Sequence, residues 1–195
     1  MLVSKDNQIQ ETILSAFSDL IRQYGYRGTT TKKIATMADV NESTIFRHFK
    51  NKAGILKALV QNYLIDVKEA ANDFEFHNDI ETDLVQVANI YQQFIKRHQS
   101  IFLLSLHEST EFPEIESVVN QLPQYFHDLL MVKFREMVQA GEIDSQTDIA
   151  TEVDSFVTLC FGNAVASFVY PNSALFIKAE QFSEKNIRTF AQHLK

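Results

Sequence analysis

Fifty residues near the N-terminus are punctuated so closely that only short helices joined by tight turns can occupy them. From Ile9 the apolar residues fall at Ile13, Ala16, Phe17, Leu20, Ile21 and Tyr24, one helical face held over four turns. Gly25 and Gly28 mark its end. Thr29, Thr30 and Thr31 then offer hydroxyl caps to a short helix over 31–38, with Ile34, Ala35 and Ala38 inward. Asp39-Val40-Asn41 is a tight connection, and Asn41 is suited to cap a second short helix over 42–49 that turns Ile45 and Phe49 inward. Asn51 caps again, and a longer helix runs from Lys52 through Ile55, Leu56, Leu59, Val60, Tyr63 and Val67.

The remainder continues the pattern. Helical periodicity occupies roughly 80–98, 101–110, 115–140, 146–170 and 174–194, bounded by Pro113, by Gly141 to Asp144 and by Pro171-Asn172-Ser173. Only 5 Gly and 3 Pro in 195 residues leave few tight turns, which argues against a β fold. The expected fold class is all-α: an N-terminal three-helix domain over 1–52 and a larger helical domain over 53–195. The one cysteine, Cys160, excludes an intramolecular disulfide framework and, inside an uncharged helix, reads as a packed inert thiol.

Charge separates the same two regions. The net charge of −7 hides a balance of +4 over residues 1–60 and −11 over 61–195, a small basic module carried by an acidic one. Residues 155–177 carry no charge, but Pro171-Asn172-Ser173 interrupts them and Ser155 to Tyr170 is short for a bilayer span. The stretch reads as a buried helix at an internal or subunit interface. With no apolar leader after Met1, the expected location is cytoplasmic, without a membrane partner.

Two short helices joined by a three-residue turn, with a long helix before and after, have the layout of a helix-turn-helix DNA reader. The Thr run supplies a polar helix start whose free amides can meet a phosphate. Asp39 can take the left-handed conformation that the turn needs. The second short helix has an outer face of Glu42, Ser43, Thr44, Arg47 and His48, and Lys50 and Lys52 add positive charge suited to phosphates. The segment from Ile9 to Leu59, above all Gly25-Tyr26-Arg27-Gly28-Thr29-Thr30-Thr31-Lys32-Lys33-Ile34-Ala35 and Val40-Asn41-Glu42-Ser43-Thr44-Ile45-Phe46-Arg47-His48-Phe49-Lys50-Asn51-Lys52, resembles the DNA-binding domain of the TetR family of transcriptional regulators.

That resemblance implies roles for matching positions. Thr30, Thr31 and Lys33 would meet phosphate, with Lys33 in reach of a base. Ser43, Thr44 and Arg47 would enter the major groove, where Arg47 reads guanine edges. His48 and Lys52 would hold the DNA backbone. Two departures stand out. Phe46 replaces the family's usual Tyr and its phosphate-gripping hydroxyl, leaving an apolar contact such as a thymine methyl. Asp39 stands where Gly is frequent and puts a negative charge near DNA.

Residues 61–195 hold thirteen of the sixteen Phe, and the aromatics from Phe74 to Phe168 lie on successive helices. Most pack a core. The resemblance implies that some line an apolar effector pocket, with Tyr91, Phe94, Phe102, His107, Phe126, Phe161 and Asn163 as the candidates for a flat aromatic, a lipophilic cation or an acyl chain. The last two helices look like a homodimer interface, with Phe156, Cys160, Ala164, Ser167, Ile187, Phe190 and Leu194 as its expected contacts. In the family such helices form a four-helix bundle. A dimer would set two recognition helices about one DNA turn, ~34–36 Å, apart on a palindrome.

No enzymatic signature is complete. His107-Glu108-Ser109-Thr110-Glu111 lacks the second His of the zinc-protease motif, and there is neither a Gly-rich phosphate loop nor a nucleophile elbow. The expectation is a non-enzymatic regulator without metal or cofactor: a homodimeric repressor on a double-stranded DNA operator, released by a small apolar effector. The alternatives are a DNA-binding regulator controlled by a partner protein docking near Glu108 to Glu116, and a helical enzyme or carrier with an incidental helix-turn-helix.

Overall fold

The structure, a computed structural model, describes residues 5–70, 76–108 and 110–195, so Phe74 and Ser109 lie outside the described residues. Every regular element among the described residues is helical: α1 (Lys5–Gly28), α2 (Thr31–Met37), α3 (Glu42–Phe49), α4 (Lys52–Ala70), α5 (Ile80–Arg97), α6 (Gln99–Glu108), α7 (Pro113–Val119), α8 (Gln121–Ala140), α9 (Ile149–Val169), α10 (Ala179–Gln181), a π-helical segment (Phe182–Ile187) and α11 (Arg188–His193). Compactness groups Met1–Asp66 with Gln99–Val119 as one unit, and Val67–His98 with Asn120–Lys195 as another.

In the N-terminal unit, α1 buries Ile13, Ala16, Phe17, Leu20 and Ile21 of the stripe its period predicts, but Tyr24, beside the kink, is exposed. The helix does not stop at Gly25 but kinks there, at φ 66° and ψ 176°, a backbone conformation open to glycine. Past the kink, buried Tyr26 meets the edges of Phe17 and Phe112, at centroid distances of 6.2 and 4.7 Å. Thr29 is fully buried and returns its hydroxyl to the carbonyl of Gly25. α6 joins the unit through Ser18 and Ser100, whose hydroxyls lie 2.5 Å apart. Tyr63 on α4 packs edge-on to Phe102 and donates to the carbonyl of Val119 at 3.0 Å.

Gly54 fixes how closely α3 and α4 succeed one another. A Cβ on it would lie 1.9 Å from the carbonyl oxygen of Phe49, so the turn closes only over a hydrogen atom. Asn51 secures this corner by accepting the Gly54 amide through its side-chain oxygen at 2.9 Å. Asn41 occupies the equivalent position before α3 without a side-chain cap, contrary to its expected role; the Thr44 amide goes to its backbone carbonyl at 2.8 Å.

The C-terminal unit packs α5, α8, α9 and the C-terminal helical segments. Leu122, Phe126, Leu130 and Phe134 form an i, i+4 stripe on α8, and Leu84, Val87, Ala88 and Tyr91 do the same work on α5. Gln92 donates to the carbonyl of Cys160 at 2.9 Å, and Ser183 to Asn89 at 2.6 Å. Burial pushes the Cys160 thiol far above the ordinary range, which keeps it protonated and inert. α9 is long and apolar enough by composition to cross a membrane, but its Val153, Phe156, Cys160 and Ala164 are spent on this core.

Two boundaries differ from the sequence expectation. The stretch read as one helix over 115–140 is two, because α7 ends at Val119 and α8 starts at Gln121. Pro123 sits in the first turn of α8, where its missing N–H costs nothing, and that position marks a helix start. The last helix begins at Ala179, five residues later than its periodicity suggests, after turns around Pro171 and Ser173.

Candidate nucleic-acid interface

The interface is built by burying one side of two short helices. Thr30 caps α2 from an extended conformation, φ −110° and ψ 155°, and its hydroxyl oxygen accepts the Lys33 amide at 3.2 Å. Thr30 itself is exposed. Ile34 and Ala35 anchor α2 from beneath. Asp39 then takes φ 51°, the left-handed conformation expected of it, while Val40 donates to Ala35 at 3.0 Å. α3 buries Ile45 and Phe49, which turns Ser43, Phe46 and Arg47 outward. Phe46 is 50% exposed, an apolar ring held in water on a face otherwise polar or basic.

The other expected contact residues are less free than their sequence positions suggest. The one hydroxyl hydrogen of Thr31 goes to Glu42 Oε1 at 2.5 Å, so only its amide remains for phosphate. Lys33 lies 4.4 Å over the Tyr24 ring and spends one of its three protons on the Gly28 carbonyl. The His48 side chain is only 4% exposed, and its ring nitrogens face Gln10, Asp6 and Arg47. It packs the helix instead of reaching outward. Arg47 donates once to His48 Nε2 and keeps the rest of its guanidinium fork exposed. Thr44 is half-buried.

Lys52 is committed inside the unit. Its ammonium donates to the carbonyls of Tyr26 and Thr29 at 2.9 and 3.0 Å and lies 3.9 Å over the Tyr26 ring. Two of its three donors are spent on these carbonyls, which leaves one for the phosphate contact expected of it. Desolvation lowers its pKa, opposed by Glu108 and Glu111. The Tyr26 hydroxyl is raised by burial and then by Glu111 and Glu108.

Those two acids form a support that sequence reasoning missed. Glu108 Oε1 accepts the Tyr26 amide at 2.7 Å, beside the Gly25 kink, and Glu111 accepts from Arg27 Nε at 2.8 Å. The pairs are 82 and 84 residues apart, too far for any local pattern to join them. Exposed His107 lines, with Glu108, Leu103, Leu104, Ile21, Arg22 and Gly25, a cleft of about 280 Å³ in this unit.

The expected effector residues divide between the units. Phe102 and His107 belong to the N-terminal one; Tyr91, Phe94, Phe126, Phe161 and Asn163 belong to the C-terminal one. There Tyr91 packs on Phe126 at 5.1 Å, and Phe94 on His98 at 4.5 Å. Phe161 is half-buried. Asn163 is buried and its Oδ1 accepts the Ile177 amide at 3.0 Å, which leaves the Nδ2 donor without a partner among the described residues.

The expected dimer residues mostly face inward. Phe156, Cys160, Ala164, Ile187 and Leu194 are buried within the C-terminal unit, and half-buried Phe190 packs on Phe156 at 5.6 Å. Half-buried Ser167 returns its hydroxyl to Ala164. Atoms spent on a subunit's own core are closed to a partner, so that set does not form an outer face. The exposed side of α9 is Thr151, Asp154, Ser155, Thr158 and Gly162. No group of three His, Cys, Asp or Glu side chains among the described residues is arranged for a metal ion.

Comparison with known proteins agrees with this geometry. Residues 13–59 match the family model of bacterial regulatory proteins, tetR family. The chain is similar to the HTH-type transcriptional regulator YvkB of Bacillus subtilis, 28% identical over 92% of this chain and 94% of the relative. It is also similar to the fatty acid metabolism regulator protein of Bacillus subtilis, 25% identical over 70% of this chain and 72% of the relative. The fold is that of the Bacillus subtilis transcriptional regulator FadR, solved with stearoyl-CoA, at a TM-score of 0.67 and 17% identity over 95% and 99% of the two chains. A TetR-family regulator from Cytophaga hutchinsonii superposes at a TM-score of 0.70, with 14% identity, over 100% and 98%. Residues 13–59 thus carry the N-terminal domain of the tetR family of bacterial regulatory proteins, and the helical fold of TetR-family regulators extends along the whole chain.

Proposed function

We propose that the chain is a homodimeric repressor that binds a palindromic operator and is released by a small apolar effector carrying an acyl chain. The observation that carries the DNA-binding part is α3: a helix pinned by Ile45 and Phe49 that presents Ser43, Phe46 and Arg47 to solvent beside Thr30, Lys33 and Lys50. A ring and a guanidinium held outward suit base edges, and the basic residues around them suit phosphates. The same reading places the protein in the cytoplasm, where the DNA is.

The effector part rests on the C-terminal unit. Its buried Tyr91, Phe94 and Phe126 and half-buried Phe161 are apolar surface that suits a hydrocarbon, and the buried Asn163 Nδ2, without a partner among the described residues, suits a carbonyl acceptor such as that of a thioester. A fatty acid metabolism regulator among the relatives and a neighbour solved with stearoyl-CoA support the acyl class. Release needs an effector that binds one of two conformers more tightly, and about 1–3 kcal/mol of coupling suffices.

Selection from random duplex DNA by the purified protein tests the first part. The expected product is a palindrome with half-sites about one helical turn apart. A titration of the selected duplex with long-chain acyl-CoAs tests the second, through loss of the shifted band. Convergence on no sequence by a folded dimer overturns the DNA reading, and a band indifferent to every acyl chain overturns the effector class.

A further inference from the structure

The DNA-facing side of α3 carries an acid. Glu42 opens the helix, directly after Asn41, and the Thr31 hydroxyl from α2 holds its Oε1 at 2.5 Å. A carboxylate beside a phosphate-lined groove is repelled by the DNA backbone. Asp39, the other acid nearby, is accounted for by its left-handed turn conformation. Glu42 needs no such conformation: it lies in the first turn of α3, where a helix-turn-helix brings its recognition residues to the base edges.

The chemistry of a carboxylate narrows what it can recognise there. It accepts hydrogen bonds and donates none. In the major groove guanine presents the acceptors O6 and N7, and thymine the acceptor O4, so both repel it. Adenine pairs its N6 donor with an N7 acceptor that a carboxylate cannot satisfy. Cytosine alone presents an amino donor, N4, with no adjoining acceptor on its own edge. Thr31 occupies one lone pair of Oε1 and stops the side chain from swinging toward solvent, while Oε2 and the remaining lone pairs stay open.

We infer that Glu42 is a specificity residue that reads a cytosine in each operator half-site, with Thr31 as the residue that positions it. This rests on the DNA-binding reading above, and it assigns to the Thr31 hydroxyl a role different from phosphate contact. It also gives the acid at the head of α3 a use that offsets its repulsion from the backbone.

The test is parallel selection from random duplex DNA by the wild-type protein, Glu42→Gln and Thr31→Val, all at one salt concentration and with thermal melts to confirm folding. The wild type should return a fixed C at one position of each half-site, and replacing it should weaken binding about tenfold. Glu42→Gln should move that single position toward A, because a carboxamide satisfies both N6 and N7. The other positions should be unchanged. Thr31→Val should dilute the preference for C without creating one for A. A Glu42→Gln logo identical to the wild type, with uniformly tighter binding, would overturn the inference and leave Glu42 as a helix-end charge. A wild-type protein that selects nothing would overturn the DNA-binding reading itself, and this inference with it.

Discussion

Lys52 stacks its ammonium 3.9 Å over the ring of Tyr26 and donates to that residue's own carbonyl at 2.9 Å, so the start of α4 is clamped to the segment after the α1 kink. The clamp is charge-assisted, partly desolvated, and backed by Glu108 on the Tyr26 amide. Replacing Lys52 by Met keeps the aliphatic stem and removes the donors. The expected cost is about 1–3 kcal/mol, read as a lower urea midpoint. DNA affinity then tells a clamp from a phosphate contact. A residue engaging one phosphate contributes about −0.9 to the slope of log K against log salt concentration. Because the ammonium is turned inward, Lys52→Met should leave that slope unchanged.

Gly54 answers to geometry alone. The hypothetical Cβ falls 1.9 Å from a backbone oxygen that cannot move without opening the α3 to α4 corner. Gly54→Ala should therefore cost at or above the upper end of the about 1–3 kcal/mol typical of overpacking. The same change at Gly162, where a Cβ meets nothing within 4 Å, should not destabilise the protein. Paired thermal melts of the two variants check this contrast.

Glu142 gives the C-terminal unit a pH signature. Desolvation raises its pKa, and Asp83 and Asp79 raise it further against the pull of Lys195. Its Oε2 and the Oδ2 of fully buried Asp83 are both buried without a partner among the described residues. A carboxyl whose folded pKa lies above its unfolded value favours folding while protonated. That contribution is complete below the unfolded value near 4.5 and is lost as pH rises through the folded value. Glu142→Gln removes the titration. The variant and wild type should be alike in stability at about pH 4, and the variant should gain steadily on the wild type toward neutrality, measured by urea denaturation at successive pH values.

The exposed stripe on α9 makes a separate prediction about assembly. Thr158 is open to solvent, with exposed Asp154 one turn before it and small residues at Ser155 and Gly162 that allow close helix approach. Thr158→Arg should leave the monomer's melt nearly unchanged, within about 0.5 kcal/mol, as expected of a surface change. If the dimer forms on this stripe, light scattering should report a monomer. A variant that remains dimeric places the interface elsewhere.

What the sequence revealed and what it concealed follow from how local each signal is. Thr30, Asp39 and Asn51 are turn and cap residues whose chemistry acts within three or four positions, so the bounds of α2 and α3 and the start of α4 could be read directly. The break at Asn120 was hidden because apolar spacing continues across it, and only Pro123 hinted at a new start. On α9 nearly every residue is apolar or small, so periodicity gave no direction to the helix; the face taken for the interface is the face of its own core. Lys52 and His48 look like any surface basic residues in sequence. Only Tyr26, Thr29 and Gln10, folded against them, show where their polar atoms go. The acid that caps the kink, Glu108, had no local signal at all.

Arg47 offers the most direct test of base reading. Its guanidinium is exposed on the outer face of α3 and spends one nitrogen on His48, so a bidentate fork remains for the O6 and N7 of guanine. Two losses should separate on Arg47→Ala. Binding to random duplex should fall only by the share of one positive charge among several, with the salt slope changing by less than about one phosphate's worth. Binding to the selected operator should fall by a further 1–3 kcal/mol, about 5- to 150-fold, and the selected position should lose its preference for G. Arg47→Lys keeps the charge without the fork and should restore random-duplex binding while recovering little of the preference. Equal losses on both duplexes would make Arg47 a phosphate contact, and the reading of the operator would then fall to Ser43, Phe46 and the first turn of α3.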